Sequence, residues 1–377
     1  MTSRERLLAL LRGEPTDRIG IQIRGVHVWN DRWCASRHES FRPLIDAVRE
    51  HGDWAVGIGF EQGFCYSAAP VALHTSIEEV PDHADVEHHV TFIDGPQGPL
   101  RRVVARSRVG HPDMTVEHFV KTPEDAENLL ALPYEPLRPD TARFLELDRT
   151  VGDRGLVLVG LGYDPIGEVY ELLGTERLAF WSVEHRDLLH RMLGEFLRRR
   201  LDVIEHIAQS GVALAMPLMV GHVGAEVVVP PLASPADFRD FVVRYDRPLH
   251  DAVHAMGGFV HVHSHGSISK LLEDFVAMGT DMLHPVEAPP LGDTPLAEAK
   301  RRIGSDLVIE GNVEISRALD EEPEAFRRRI RETVADGKPG GRFVICPTAS
   351  PYPVQLSDRA VRNYLTMIEV ALSDGRY

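Results

Sequence analysis

Gly258-Phe259-Val260-His261-Val262-His263-Ser264-His265-Gly266 is an apolar run that ends in three alternating histidines. Phenylalanine and valine favour an extended chain, and a glycine at each end punctuates the segment. Side chains of a strand alternate between faces, so His261, His263 and His265 read as projecting from one face. A helical pattern at 268–278 follows, and then a second apolar run at 281–284. Strand, helix and strand at this spacing form a βαβ unit, whose two strands run parallel.

The same rhythm extends in both directions. Apolar runs at 19–24, 54–60, 155–160 and 212–217 read as strands before it, and those at 307–310 and 342–346 after it. Helical patterns at 41–50, 165–173, 186–209, 234–256, 295–302, 323–335 and 357–373 separate them, and Thr2-Ser-Arg-Glu5 has the spacing of a capping box. Eight strands, most trailed by a helix, predict an α/β fold: an eight-stranded β/α (TIM) barrel. One segment departs from this. Residues 88–95, 100–107 and 114–120 alternate like antiparallel strands around Asp94-Gly-Pro-Gln-Gly-Pro, which predicts a β-hairpin insertion over 88–120 after the second strand. With no Ser/Gly linker or change of composition, residues 1–377 read as a single domain.

The charge is 41 minus 57, or −16, without a basic cluster that counts, which disfavours nucleic acid and anionic membranes as partners. Arg198-Arg-Arg200 and Arg327-Arg-Arg329 read as solvated helix faces. No apolar run reaches the roughly 20 residues of a spanning helix. Cys34, Cys65 and Cys346 are an odd, sparse set, as expected for a reducing, cytoplasmic setting without a disulfide framework.

Active sites of β/α barrels gather at the C-terminal ends of the strands. There the sequence offers Arg24 and His27, Glu61, Tyr163 and Asp164, His222, His263 and His265, His284 and Glu287, Glu310 and Asn312, and finally Cys346, Ser350 and Tyr352. So many titratable groups at one relative position favour an enzyme over a structural protein. His263, His265 and Glu287, two imidazoles and a carboxylate, make a three-ligand metal set with an open position, and iron(II) is an alternative to zinc for such a set. His261 lies deeper and reads as a hydrogen-bonded interior residue. His284 reads as a further ligand or a substrate contact, and Cys346 as a further ligand or a packed thiol. Gly160-Leu-Gly162 lacks the third glycine of a dinucleotide fingerprint.

With these positions assigned, the chain resembles the uroporphyrinogen decarboxylase superfamily along nearly its whole length. The resemblance rests on Ser3-Arg-Glu-Arg-Leu-Leu-Ala-Leu-Leu-Arg-Gly-Glu-Pro-Thr-Asp-Arg18, Thr115-Val-Glu-His-Phe-Val-Lys-Thr-Pro-Glu-Asp125, His263-Ser-His-Gly266, Gly279-Thr-Asp281, Glu310-Gly-Asn312 and the terminal helix with Asn363. The decarboxylases carry an arginine-rich RQAGRY-type motif after the first strand. Here Gln22-Ile-Arg-Gly-Val-His27 keeps only Arg24, a poor match for a tetrapyrrole with many carboxylates.

The methyltransferase-like branch (coenzyme M methyltransferases and, distantly, cobalamin-independent methionine synthase) is a nearer match. It uses a His-x-Cys motif and a late Cys, to which methionine synthases add a Glu. His263 matches the His, His265 replaces the first Cys and Glu287 has the spacing of the Glu. The late Cys position falls near Ala349, three residues after Cys346. Imidazole and carboxylate in place of thiolate make a harder, more Lewis-acidic centre, which disfavours a thiol acceptor.

The resemblance implies a zinc-dependent methyl or one-carbon transfer enzyme acting on a small methylated substrate. A corrinoid protein would serve as methyl carrier and a homodimer is the implied assembly. His263, His265, Glu287 and Cys346 are the candidate metal ligands. Asp164, Glu310 and Tyr163 are the candidate catalytic groups, and Arg24, His27, His222, His284, Asn312 and Tyr352 the candidate substrate contacts. The alternatives are a lyase that decarboxylates or cleaves a small acid, and an inactive ligand-binding barrel.

Overall fold

Thr2 opens the first helix, Ser3–Arg12, by the reciprocal capping box with Glu5, and Gly13 closes it in the left-handed region at φ 72°. The computed structural model describes every residue except Asp82, Gly110 and His111. Residues 1–60, 140–162 and 207–377 form one compact unit, and residues 61–139 and 163–206 form another.

The first unit is built on an eight-stranded parallel sheet. Its strands are β1 (Gly20–Ile21) and β2 (Trp54–Ile58), then β7 (Gly155–Tyr163), β8 (Leu218–Val223), β9 (Phe259–His263), β10 (Met282–His284), β11 (Val308–Val313) and β12 (Phe343–Pro347). Their order is β1-β12-β11-β10-β9-β8-β7-β2. The sheet curls into a β/α barrel, as expected. Its two end strands are linked through Asp53, whose N–H donates to the Ile21 carbonyl at 2.7 Å. The Asp53 carboxylate accepts from the Ile21 N–H at 2.9 Å and from Arg6 and Arg18 at 2.6 and 2.7 Å.

Inward-facing side chains stack in layers, because the side-chain period along a strand is two. Leu156, Met219, Met282, Val308 and Val344 lie near the N-terminal ends of five strands and pack with Leu7, Leu10 and Leu11 of the first helix. That helix therefore plugs the N-terminal mouth, and each buried leucine contributes roughly 1.5–3 kcal/mol. Two residues further along the same strands come Leu158, Gly221, His284, Glu310 and Cys346, with His261 on β9. An apolar layer thus gives way to a polar one in a single step.

The fourth strand corrects the expectation at 212–217. Val212–Ala215 is a short helix, and the strand is Leu218–Val223, beyond Pro217. Two apolar runs flank that proline, and only the second aligns with β9, Met219 to Phe259 through Val223 to His263. The helix expected over 234–256 begins at the Ser234 capping box but passes through a π-helical stretch, Arg239–Val243, before Arg244–Ala255.

The second unit holds the insertion, a four-stranded antiparallel sheet of β3 (Leu73–Glu79), β4 (Val86–Gly95), β5 (Gly98–Ser107) and β6 (Met114–Glu117). β3 extends the expected hairpin by a strand. Every β3 side chain is exposed, so its sequence has no apolar alternation, and pairing with β4 alone makes it extended. Helices Pro123–Leu130, Pro165–Leu173 and Thr175–Glu184 and most of Arg186–Gln209 complete this unit. Arg199 and Arg200 correct the solvated-face reading of that arginine run. Both are buried: Arg200 pairs with Glu168 at 2.9 Å, and Arg199 donates to the Cys65 carbonyl at 2.8 Å. The three cysteines are free. Among the described residues no helix is long and apolar enough to cross a membrane.

Candidate functional site

The polar layer of the barrel gathers His261 and His263 from β9, His284 from β10, Glu310 from β11 and Cys346 from β12. Register explains the convergence. His284 pairs with His263 and Met282 with His261, so alternate residues of adjacent strands share the inner face. The ligand atoms of His284, Glu310 and Cys346 lie within 4.8 Å of one another, and all three residues are buried. Beside them is a cavity of about 270 Å³ lined by Arg24, His27, Gly57, Leu158, His261, Glu310 and Ser350 among others. Glycine contributes to this space. Gly25 and Gly57 line it, and Gly25 at φ 77° occupies the left-handed region that favours glycine.

The hydrogen bonds fix which nitrogens carry protons. A carbonyl oxygen only accepts, so His284 Nε2 donates to the Pro347 carbonyl at 3.1 Å. The His284 Nδ1 lone pair then faces His263 Nδ1 at 2.9 Å, and His263 must donate. Burial pushes His284 down to about 3, with the nearby Arg24 charge acting the same way and Glu310 opposing. Burial, Arg24 and His284 together hold His263 far below the ordinary imidazole value, so both rings are neutral.

His261 Nε2 donates to the Glu310 carboxylate at 2.7 Å. Burial opposes ionisation of Glu310, but its interactions with His284, His261 and Arg24 outweigh it and hold the carboxyl well below its usual range. Burial and the neighbouring Glu310 charge push the Cys346 thiol up. A carboxylate, a neutral imidazole with an inward lone pair and a thiol needing a cation to ionise are donors suited to zinc.

The other expected site residues are placed as follows. His265 Nδ1 lies 3.1 Å from Glu287, which also accepts the Gly266 N–H at 2.9 Å. Gly266 reaches that position at φ 93°. Burial raises the Glu287 pKa, but the His265 and Gly266 hydrogen bonds more than offset it. His265 is thus paired with Glu287, while His263 faces His284 beside Glu310 and Cys346. His27 lies at the cavity, edge-on to Trp29 and Trp33 with ring centroids 5.1 and 5.3 Å away, and burial lowers its pKa. Asn312 lines a different cavity, with Glu287 and Thr348. Tyr352 is 72% exposed and lines neither.

His222 does not face the barrel interior. Its neighbour Gly221 is in register with the inward His261, whereas His222 is in register with the outward Val262. Tyr163, Asp164 and Glu61 fall in the second unit. There the Asp164 side chain caps the helix Pro165–Leu173 by accepting the Gly167 N–H at 2.7 Å, and the Tyr163 hydroxyl meets Glu171 at 3.1 Å. Sequence reasoning missed Asp246 and His250, which join His222 in a second buried group of potential ligands. Their four-residue spacing on one helix was the available signal.

The family model for uroporphyrinogen decarboxylase (URO-D) matches residues 115–364. No curated protein matches the sequence. Among solved structures, a methyltransferase from Methanosarcina mazei is similar over 99% of both chains at 16% identity, with a TM-score of 0.63. That is a likeness of fold. A D-psicose 3-epimerase from Clostridium cellulolyticum H10, solved with D-tagatose, aligns with 67% of this chain and 92% of its own at 12% identity and a TM-score of 0.36, too low to carry an argument. The family match spans well over half of the 377 residues, and β8 to β12 with their polar layer all lie inside it. The chain belongs to the uroporphyrinogen decarboxylase family.

Proposed function

We propose that the protein is a metal-dependent methyl-transfer enzyme acting on a small methylated substrate, with zinc as the metal and a corrinoid protein as methyl carrier. The observation that carries this reading is the buried His284–Glu310–Cys346 group beside the Arg24 cavity. These three residues replace the set His263, His265 and Glu287 as the proposed ligands, because their donor atoms converge within 4.8 Å. Iron(II) is the alternative metal. When bound, the metal would act as a Lewis acid toward the heteroatom that bears the methyl group.

The remaining chemistry belongs to the chain. The Arg24 guanidinium attracts an anionic group into the cavity and orients it. The Pro347 carbonyl holds the His284 tautomer, and His261 holds the Glu310 carboxylate in place. A corrinoid carrier, when docked, would supply a cobalt(I) nucleophile for the methyl group, and the donor heteroatom would keep the bonding electron pair and take up a proton from solvent. The apolar layer below closes the barrel to water from the N-terminal side.

The test is anaerobic mixing of zinc-loaded protein with cob(I)alamin and a panel of methylated ethers, amines and thioethers, followed by the corrin absorption spectrum. Conversion to methylcobalamin with at least one donor, lost in His284→Asn, is the expected result. No conversion across the panel, together with carbon dioxide release from small carboxylic acids, would favour a lyase. The family match to a decarboxylase and the arginine in the cavity are what support that second reading.

A further inference from the structure

The outer face of β8 carries a second constellation. His222, Asp246 and His250 are 3%, 0% and 0% exposed, and their donor atoms lie within 4.8 Å of one another. Asp246 and His250 stand four residues apart on the helix Arg244–Ala255, so both point from one helical face toward the strand. We infer that His222, Asp246 and His250 form a second transition-metal site, sealed between β8 and this helix and suited to zinc.

Three observations beyond proximity support the site. First, His250 Nδ1 donates to the Met278 carbonyl at 2.8 Å. That bond leaves the Nε2 lone pair of the neutral ring aimed at the cluster, which is the arrangement a metal-binding imidazole adopts. Second, His250 Nε2 meets His222 Nε2 at 2.7 Å. That contact is a hydrogen bond in the metal-free protein, and tetrahedral zinc at roughly 2.0–2.1 Å from each nitrogen would take the place of the shared proton and part the two atoms to roughly 3.3 Å. Third, the π-helical stretch Arg239–Val243 ends three residues before Asp246, and such irregular turns recur where a helix is shaped around a site.

Two imidazoles and a carboxylate match zinc better than calcium or magnesium, which prefer all-oxygen shells. The site contains no sulfur, opens on none of the cavities described above and lies on the face of β8 opposite the polar layer. Its metal would therefore be structural, tying the helix to the sheet.

The experiment is a metal count by native mass spectrometry on full-length protein, first demetallated and then given excess zinc or cobalt(II). Wild type should bind two ions. Asp246→Asn and His250→Gln should each bind one and keep the cobalt–thiolate absorption that Cys346 would give in the barrel. Cys346→Ser should bind one and lack that absorption. A wild-type count of one with the thiolate band present, or two ions retained by Asp246→Asn, overturns the second site. A wild-type count of one without the thiolate band, lost in Asp246→Asn, supports this site and overturns the barrel centre instead. If Asp246→Asn fails to fold, His250→Gln supplies the same comparison.

Discussion

His263 and His284, on adjacent strands of the barrel, face each other Nδ1 to Nδ1 at 2.9 Å, and the Pro347 carbonyl sets which of the two donates. A metal at His284 would use the same lone pair. His284→Asn removes the ring nitrogen without adding bulk. The expected outcome is loss of one metal equivalent and a fall in methyl transfer of roughly 100-fold or more, in the upper range seen when a metal shell is disturbed. Metal content and initial rates check this together. Unchanged metal content would remove His284 from the ligand set.

The pair His261–Glu310 gives a stability prediction for metal-free protein. His261→Ala leaves a buried carboxylate without its 2.7 Å donor. Breaking a buried pair from one side typically costs roughly 3–5 kcal/mol. His261→Gln, which can still donate, should recover part of that loss. Urea unfolding of the three proteins measures it, and equal midpoints for the alanine variant and wild type would contradict the prediction.

Asp53 joins the two ends of the parallel sheet while balancing Arg6 and Arg18. Asp53→Asn should destabilise the barrel unit by roughly 3–5 kcal/mol, because both guanidinium groups lose a buried counter-charge. Hydrogen exchange of the β1 and β2 amides should rise most. Exchange confined to the antiparallel sheet would be the wrong pattern.

Lys300 provides a pH dependence. Burial, aided by the Arg342 charge, lowers it from 10.5 to about 8. Between those values the unfolded chain holds a proton that the folded chain has released. Stability therefore rises with pH from about 8 to about 10.5, by up to roughly 3 kcal/mol from this group. Below about 8 the cost of burying the charged amine is fully present. Lys300→Met should flatten that rise in urea midpoints taken across the range, and a variant as steep as wild type would rule Lys300 out as its source.

The barrel was legible because periodicity reports burial. A run such as Phe259 to His263 is apolar on both faces, and its spacing to the next helix is fixed by the βα unit. Lys300 and Asp53 were not legible, since a lone charged residue looks alike whether solvated or sealed beneath a strand end. The site was half legible. That His284, Glu310 and Cys346 meet could be guessed from their strand ends, yet which face each residue takes depends on register. His222 and Gly221 differ by one position and point oppositely. Arg199 and Arg200 were misread for the same reason, as composition does not say which side of a helix is covered.

The barrel metal centre is tested most directly by the absorption spectrum of cobalt(II)-substituted protein. Ligation by Cys346 predicts a thiolate-to-cobalt charge-transfer band in the near ultraviolet that disappears in Cys346→Ser and persists in Asp246→Asn. A cobalt-loaded wild-type protein without that band, or with a band indifferent to Cys346→Ser, would contradict a metal held by His284, Glu310 and Cys346.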